Sequence, residues 1–191
     1  MESESLQALL EKLKEEEEQI QFDRFDNRMA YELGMLLTEE AYRQSLPIAI
    51  DICKGEQQWF HHALPGTSKD NDEWIRRKNR VVNRFLHSSY YMGTYYKLHN
   101  TDIREKSFLD PAEYAPHGGA FPIIFRNAGV VGTVTVSGLP QKRRSRVRGR
   151  YAKTVSEHRA LKLSFRFLFD ISLSPRTHRI ENRLQGPTVF G

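Results

Sequence analysis

The chain is almost without cysteine: Cys53 stands alone among 191 residues. An intramolecular disulfide framework is therefore excluded, and a reducing compartment is the natural setting. A zinc site is not expected either, because Cys53 has no Cys or His at ligand spacing. Long apolar runs are also missing, and nothing approaches the roughly 20 residues that span a bilayer. The first residues, MESESLQALLEKLKEEEEQ, are acidic, whereas a secretory or mitochondrial leader is basic and poor in acids. The expectation is a cytoplasmic protein with no membrane span. Several catalytic signatures are absent too. There is no Gly-x-Ser-x-Gly, no phosphate-binding P-loop and no Gly-x-Gly-x-x-Gly, which removes the nucleophile-elbow, nucleotide-triphosphatase and dinucleotide readings.

What is present suits one domain of ordinary size plus an extension. Hydrophobic residues at 39% are enough for a core in a chain this long, and 11% aromatics argue against global disorder. The net charge of +5 hides a division. Residues 1–140 hold 16 Lys+Arg against 21 Asp+Glu, a net of −5, while residues 141–191 hold 13 against 3, a net of +10. The basic character belongs to the tail, and a boundary falls near Gln141. The expected domains are thus 1–140, including an amphipathic helix over 1–20, and a basic, poorly ordered extension over 141–191.

Periodicity supplies the elements. Leu6, Leu9, Leu10 and Leu13 share one helical face, and the run Glu15 to Glu18 that follows is expected in solvent. Residues 20–25 suit a short edge strand. Asp26 or Asn27 caps a helix through Met29, Leu33, Leu36 and Leu37 to about Arg43, and Pro47 blocks its continuation. Ile48, Ile50 and Ile52 alternate with small or polar residues, Gly55 supplies a turn, and Trp59-Phe60-His61-His62 returns as a second strand. Ser68 or Asp70 opens a third helix with Trp74, Ile75, Val81, Val82 and Phe85 on one face. Arg76, Arg77, Lys78, Arg80 and Arg84 give it a basic face. A fourth helix covers roughly 88–98, where Gly93 signals close packing or a bend. After a loop over 110–116, Phe121 to Phe125 and Val130 to Val136 form a second hairpin around Gly129. Helices and hairpins in this order imply an α+β sandwich, an antiparallel sheet of two hairpins covered by helices.

Six ordered blocks carry a family likeness. They are Pro47-Ile-Ala-Ile-Asp51, Phe60-His-His-Ala-Leu-Pro-Gly-Thr67, Asn71-Asp-Glu-Trp-Ile-Arg-Arg-Lys78, His87-Ser-Ser-Tyr-Tyr-Met92, His117-Gly-Gly-Ala-Phe-Pro-Ile123 and Val131-Gly-Thr-Val-Thr-Val-Ser-Gly138. Together they resemble the haem-degrading-domain family, in the branch long catalogued as an uncharacterised protein family. The Gly-Gly-x-x-Pro-Ile and Val-Gly-x-x-x-Val-Ser-Gly pair is similar, in looser form, to the HbpS-like and GlcG-like branches. The likeness covers nearly all of residues 5–140. It implies an antiparallel sheet with helices on both faces, and assembly into dimers and rings of dimers. It also implies haem binding, with haem breakdown attributed to relatives. Cys-x-x-Cys-His is absent, so haem would be held non-covalently.

Candidate ligand residues follow from chemistry and from these blocks. His87, beside Ser88 and Ser89, falls where the third helix breaks, a place from which an imidazole can ligate haem iron or move protons; a helix cap or packing role is the plain alternative. His117-Gly118-Gly119 precedes a strand and can offer backbone N–H groups to a carboxylate, or can simply be a tight loop. Arg77 and Lys78, within a matching block, are the cations suited to haem propionates or another small anion, against a solvated helix face. His61 and His62 point to opposite faces of a strand and cannot readily share a metal. Cys53, in a strand that looks buried, is expected to be inert. The alternative function is a non-enzymatic oligomeric scaffold or chaperone-associated protein.

The tail departs from the family pattern, in which a short acidic helix normally follows the Ser-Gly-Leu-Pro turn. Lys142 to Lys153 is Arg-rich and suits RNA, an anionic membrane or an import receptor. No aromatic platform accompanies it, so sequence-specific nucleic-acid reading is not expected. Leu161, Leu163, Phe165, Phe167, Phe169, Ile171 and Leu173 alternate as one face of a strand that would aggregate if unpaired. The switch of composition where the likeness stops is also the pattern that an altered reading frame or a retained intron leaves. Sequencing the transcript across the codons for Leu139 to Arg150 separates these readings. A frame change there removes the tail from the selected design; a continuous message retains the basic arm.

Overall fold

The alternating segments become the sheet, and the segments of helical period cover it. A computed structural model describes residues 2–138. In chain order the elements are α1 (Glu2–Gln19), β1 (Gln21–Phe22), α2 (Asn27–Arg43), β2 (Ala49–Lys54), β3 (Gln57–Ala63), α3 (Lys69–Phe85), α4 (Ser89–Leu98), α5 (Ile103–Ser107), β4 (Ala120–Phe125) and β5 (Gly129–Ser137). The five strands lie in the order β1-β4-β5-β2-β3. Each hairpin is antiparallel, and β2 joins the two by pairing antiparallel with β5. The edge strand expected near residue 20 is β1, which runs parallel to β4 through Gln21↔Ile124 and Phe22↔Phe125. The basic extension, with its Arg-rich run and its alternating segment, lies outside the described residues.

Register assigns each face of the sheet its own chemistry. Ile50 opposes Val136 and Ile52 opposes Val134, while Phe121 opposes Val134 from the other side. This apolar face packs on Met29, Ala30, Leu33, Leu37 and Ala41 of α2. Asp26 caps α2 by accepting from the Met29 N–H at 2.9 Å. Gly34 lets the Phe60 ring lie directly on the helix, where a Cβ would overlap it. The opposite face carries Asp51, Thr133 and Thr135, all buried, and α3 lies on it. A second apolar cluster, Val81, Met92, Tyr96 and Ile103, ties α3 to α4 and α5. Gly93 is required there, because a side chain would meet the Pro116 carbonyl.

Two sequence expectations need correction. Glu17, placed in solvent with its neighbours, is 4% exposed, because it falls on the same stripe of α1 as Leu10 and Leu13. Lys78 does not belong to the solvated basic face of α3 and is 6% exposed, its chain directed at the sheet. Between α4 and the expected loop over 110–116 lies α5, a short helix that the periodicity did not mark, started by Asp102, whose carboxylate accepts from the Arg104 and Glu105 N–H groups at 2.8 and 2.9 Å.

Gly132 tests the register of the central pair. A Cβ there would overlap the Cys53 carbonyl oxygen, which is backbone and cannot swing aside. Gly132→Ala should therefore destabilise the domain by about 3 kcal/mol, the upper end of ordinary overpacking, read as a lowered midpoint in urea.

Candidate functional site

Directional bonds fix α3 on the polar face of the sheet. The Asn79 side-chain amide donates to Asp51 Oδ2 at 3.0 Å, and its carbonyl accepts from the Thr135 hydroxyl at 2.5 Å. The Asp51 carboxylate also takes a bond from Gln58 Nε2 at 2.6 Å and one from the Cys53 thiol at 3.1 Å. Lys78 Nζ donates to the Val136 carbonyl at 2.9 Å. A buried carboxylate and a buried ammonium are tolerated because donors and acceptors meet them.

With α3 held in this way, the residues expected to bind an anion converge on the glycine loop. Gly119 has φ +121°, and a Cβ there would stand 2.5 Å from the Val136 carbonyl oxygen of β5 and 2.8 Å from Lys78 Nζ. That positive φ admits glycine and strains any other residue. His117 is exposed and meets the Trp74 ring edge-on at 5.7 Å between centroids. The Arg77 guanidinium lies over the same indole at 4.0 Å, within cation–π range. Arg77 Nε reaches only the Glu73 carbonyl, at 3.3 Å, and Arg77 has no carboxylate partner among the described residues. The loop is also tied to the helix, since the Ala115 N–H donates to the Arg77 carbonyl at 3.2 Å. Arg77, Lys78, His117, Gly118 and Gly119 thus form one locus, with Trp74 in its middle.

His87 belongs to a second locus. It follows Leu86, whose left-handed backbone (φ 61°) ends α3. His87 Nδ1 lies 2.6 Å from Glu17 Oε2, and the other oxygen of that carboxylate accepts from the Ser88 N–H at 2.8 Å. The ring stacks on Tyr91 at 4.1 Å and its side chain is 35% exposed. Ser88 is fully buried and caps α4, its hydroxyl accepting from the Tyr91 N–H at 3.1 Å. The two loci are joined through Ser89, whose hydroxyl accepts from the Ala120 N–H at 3.0 Å, one residue beyond Gly119.

Other sequence candidates are placed plainly. His61 faces Asp72 of α3 at 3.0 Å and His62 faces Tyr42 of α2 at 3.3 Å, so the pair points to opposite sides as its strand requires. Arg76 pairs with Glu73 and Arg80 with Glu113. Among the described residues no cluster of three or more His, Cys, Asp or Glu is able to hold a metal ion.

Sequence reasoning missed Glu17, Trp74 as the ring between two ligand candidates, and Asn79. Two signals were available. Leu10, Leu13, Glu17 and Ile20 recur at three- and four-residue steps, which puts Glu17 on an apolar stripe. Ile75, Asn79 and Val82 share a face in the same way.

The fold and these loci define a sheet-and-helix sandwich that gathers cations and imidazoles on loops at one helix. Residues 25–147 match the model of the family described as haem degrading protein HbpS-like. A UPF0303 protein of Streptomyces coelicolor is 51% identical over 129 residues, covering 68% of this chain and 82% of the relative. One from Edwardsiella ictaluri is 49% identical over 137 residues, covering 72% and 87%. The crystal structure of the Ybr137w protein is similar at 36% identity and a TM-score of 0.64, over 70% of this chain and 79% of that one. The chain belongs to the HbpS-like haem-degrading family, in its UPF0303 branch. No helix among the described residues is long and apolar enough to cross a membrane.

Cys53 offers a test of the polar face. Burial, with the Asp51 carboxylate beside it, pushes its thiol up to about 12. The folded chain therefore keeps this proton at pH values where the unfolded chain has lost it, and stability should fall as pH climbs from the ordinary thiol range toward 12. Tyr91 and Tyr96 are pushed up too, chiefly by burial, and act in the same direction. Urea melts from pH 8 upward should show a shallower loss for Cys53→Ser than for the natural chain.

Proposed function

We propose that this protein binds haem, or a small anionic ligand of similar chemistry, non-covalently at the loci flanking α3. The observation that carries the reading is Arg77, a guanidinium stacked on Trp74 beside exposed His117, with no carboxylate partner among the described residues. Such a group suits a carboxylate, for which a charge-assisted bond is worth about 1.5–3 kcal/mol. Lys78 backs the glycine loop with a second positive charge. His87 supplies an imidazole that is one-third exposed and anchored through Nδ1, which leaves Nε2 as the atom able to meet a metal centre. The donor chemistry suits haem: Arg77, His117, Gly118 and Gly119 are the groups that would meet the propionates, Lys78 adds charge from behind the loop while bonded to Val136, and His87, mounted by Ser88, would meet the iron. When bound, haem would supply an iron centre for ligand or redox chemistry. The chain's own part would be to neutralise the carboxylates and to orient the imidazole. Membership of the HbpS-like family supports this choice of ligand.

One feature favours a second reading, a non-enzymatic homo-oligomeric scaffold. Phe108 is 90% exposed, and its backbone is left-handed (φ 54°). A large apolar ring held out in a strained conformation suits an interface anchor.

Hemin titration of the full chain, with light scattering on the same samples, tests both. A Soret shift at micromolar hemin is expected. His87→Ala should weaken it, and Arg77→Ala should raise the apparent Kd about tenfold or more, the equivalent of a lost charged bond. No shift at micromolar hemin would remove the haem reading. A large colourless particle that Phe108→Asp breaks into smaller ones would select the scaffold.

A further inference from the structure

Glu17 is the one acid of the N-terminal run that faces inward, and the manner of its burial is specific. Its side chain is 5% exposed and both carboxylate oxygens are engaged. Oε1 accepts from a donor that cannot change, the Ser88 backbone N–H, at 2.8 Å. Oε2 faces His87 Nδ1 at 2.6 Å. An ionised carboxylate only accepts, so the proton in that contact belongs to the imidazole. In the neutral ring the lone pair is then confined to Nε2, which has no partner among the described residues. Tyr91, stacked at 4.1 Å, fixes the plane of the ring. The α1 helix bearing Glu17 packs on α4, and Leu10 and Leu13 on the same stripe are buried.

We infer that Glu17 is a positioning residue that sets the tautomer and aim of His87, holding the proton on Nδ1 so that Nε2 faces outward as an electron-pair donor to a metal centre such as haem iron. This rests on the reading of His87 given above. A carboxylate behind a ligating imidazole fixes the ring and raises its basicity. The segment matched by the family model begins at residue 25, so this support comes from chain that precedes it. A purely structural role, docking α1, would need an acceptor for Ser88 but would be indifferent to which imidazole nitrogen carries the proton.

Glu17→Gln separates these roles. The glutamine carbonyl can still accept from the Ser88 N–H, and α1 stays docked. Its amide nitrogen then faces His87 Nδ1 and can only donate, so the ring proton must move to Nε2. The measurement is a long-range proton–nitrogen NMR correlation on histidine-labelled, ligand-free full chain at pH 8, with His87 assigned by its loss in His87→Ala. The expected result is a protonated Nδ1 in the natural chain, and an interchange of the protonated and lone-pair nitrogen signals in Glu17→Gln. Hemin should give the natural chain a histidine-ligated absorption spectrum that Glu17→Gln lacks, while the melting temperature of the variant holds. A protonated Nε2 in the natural chain would overturn the inference and needs no variant to fold. So would a well-folded Glu17→Gln whose tautomer and hemin spectrum match the natural chain. If the natural chain takes up no hemin, the haem reading fails, and the tautomer spectrum alone decides the role of Glu17.

Discussion

The contact on which the candidate site depends is the polar seam between α3 and the sheet. Apolar packing has no direction and would let a helix slide or roll by several degrees at little cost. The bonds from Asn79 to Asp51 and Thr135, with the Lys78 ammonium on the Val136 carbonyl, admit one rotation and one axial position. Once α3 is set, Trp74 and Arg77 must face the glycine loop, and the chain must leave the helix at Leu86 with His87 turned toward α1. A buried seam of this kind is costly if any member is unpaired, so it favours the aligned arrangement sharply over its neighbours.

The two faces of the sheet divide the work. The α2 side is apolar and supplies the bulk of the core, through Ile50, Ile52, Phe121, Val134 and Val136. The α3 side gives up apolar area to Asp51, Thr133 and Thr135, and in return places charged and aromatic side chains in exact register with two loops. The apolar face thus supplies most of the core, and the polar face fixes where the side chains of the candidate site stand. The loops that bear His87 and His117 are joined through the Ser89 hydroxyl at Ala120.

Much of the fold was legible in the chain. The isoleucine alternation of residues 48–52, the Gly55 and Gly129 turns and the Asp26 and Ser68 caps all became the elements expected, because each is a local preference that burial then reinforces. The family blocks pointed to residues of the candidate site, and the structure brings Arg77, Lys78, His117 and Gly119 together. His87 has Glu17 and Tyr91 as its partners instead. What escaped was non-local. Glu17 sits in a run of four glutamates, and only its angular position on α1 sets it apart from its solvated neighbours. Lys78 sits among arginines that do face water. Trp74 read as an ordinary core aromatic, since nothing in its neighbourhood along the chain announces His117.

By itself the sequence determined the secondary elements apart from α5, the α+β class, the family and the kinds of group available for binding. Those follow from interactions within a few residues, or from a pattern of residues that a family shares. The tertiary structure alone decided which glutamate is buried, which cation faces the sheet and which nitrogen of His87 is held. The pairing of Glu17 with His87 spans 70 positions, and that of Lys78 with Val136 spans 58. No local preference reaches that far, and only the packing of helices on a twisted sheet brings such groups within bonding distance.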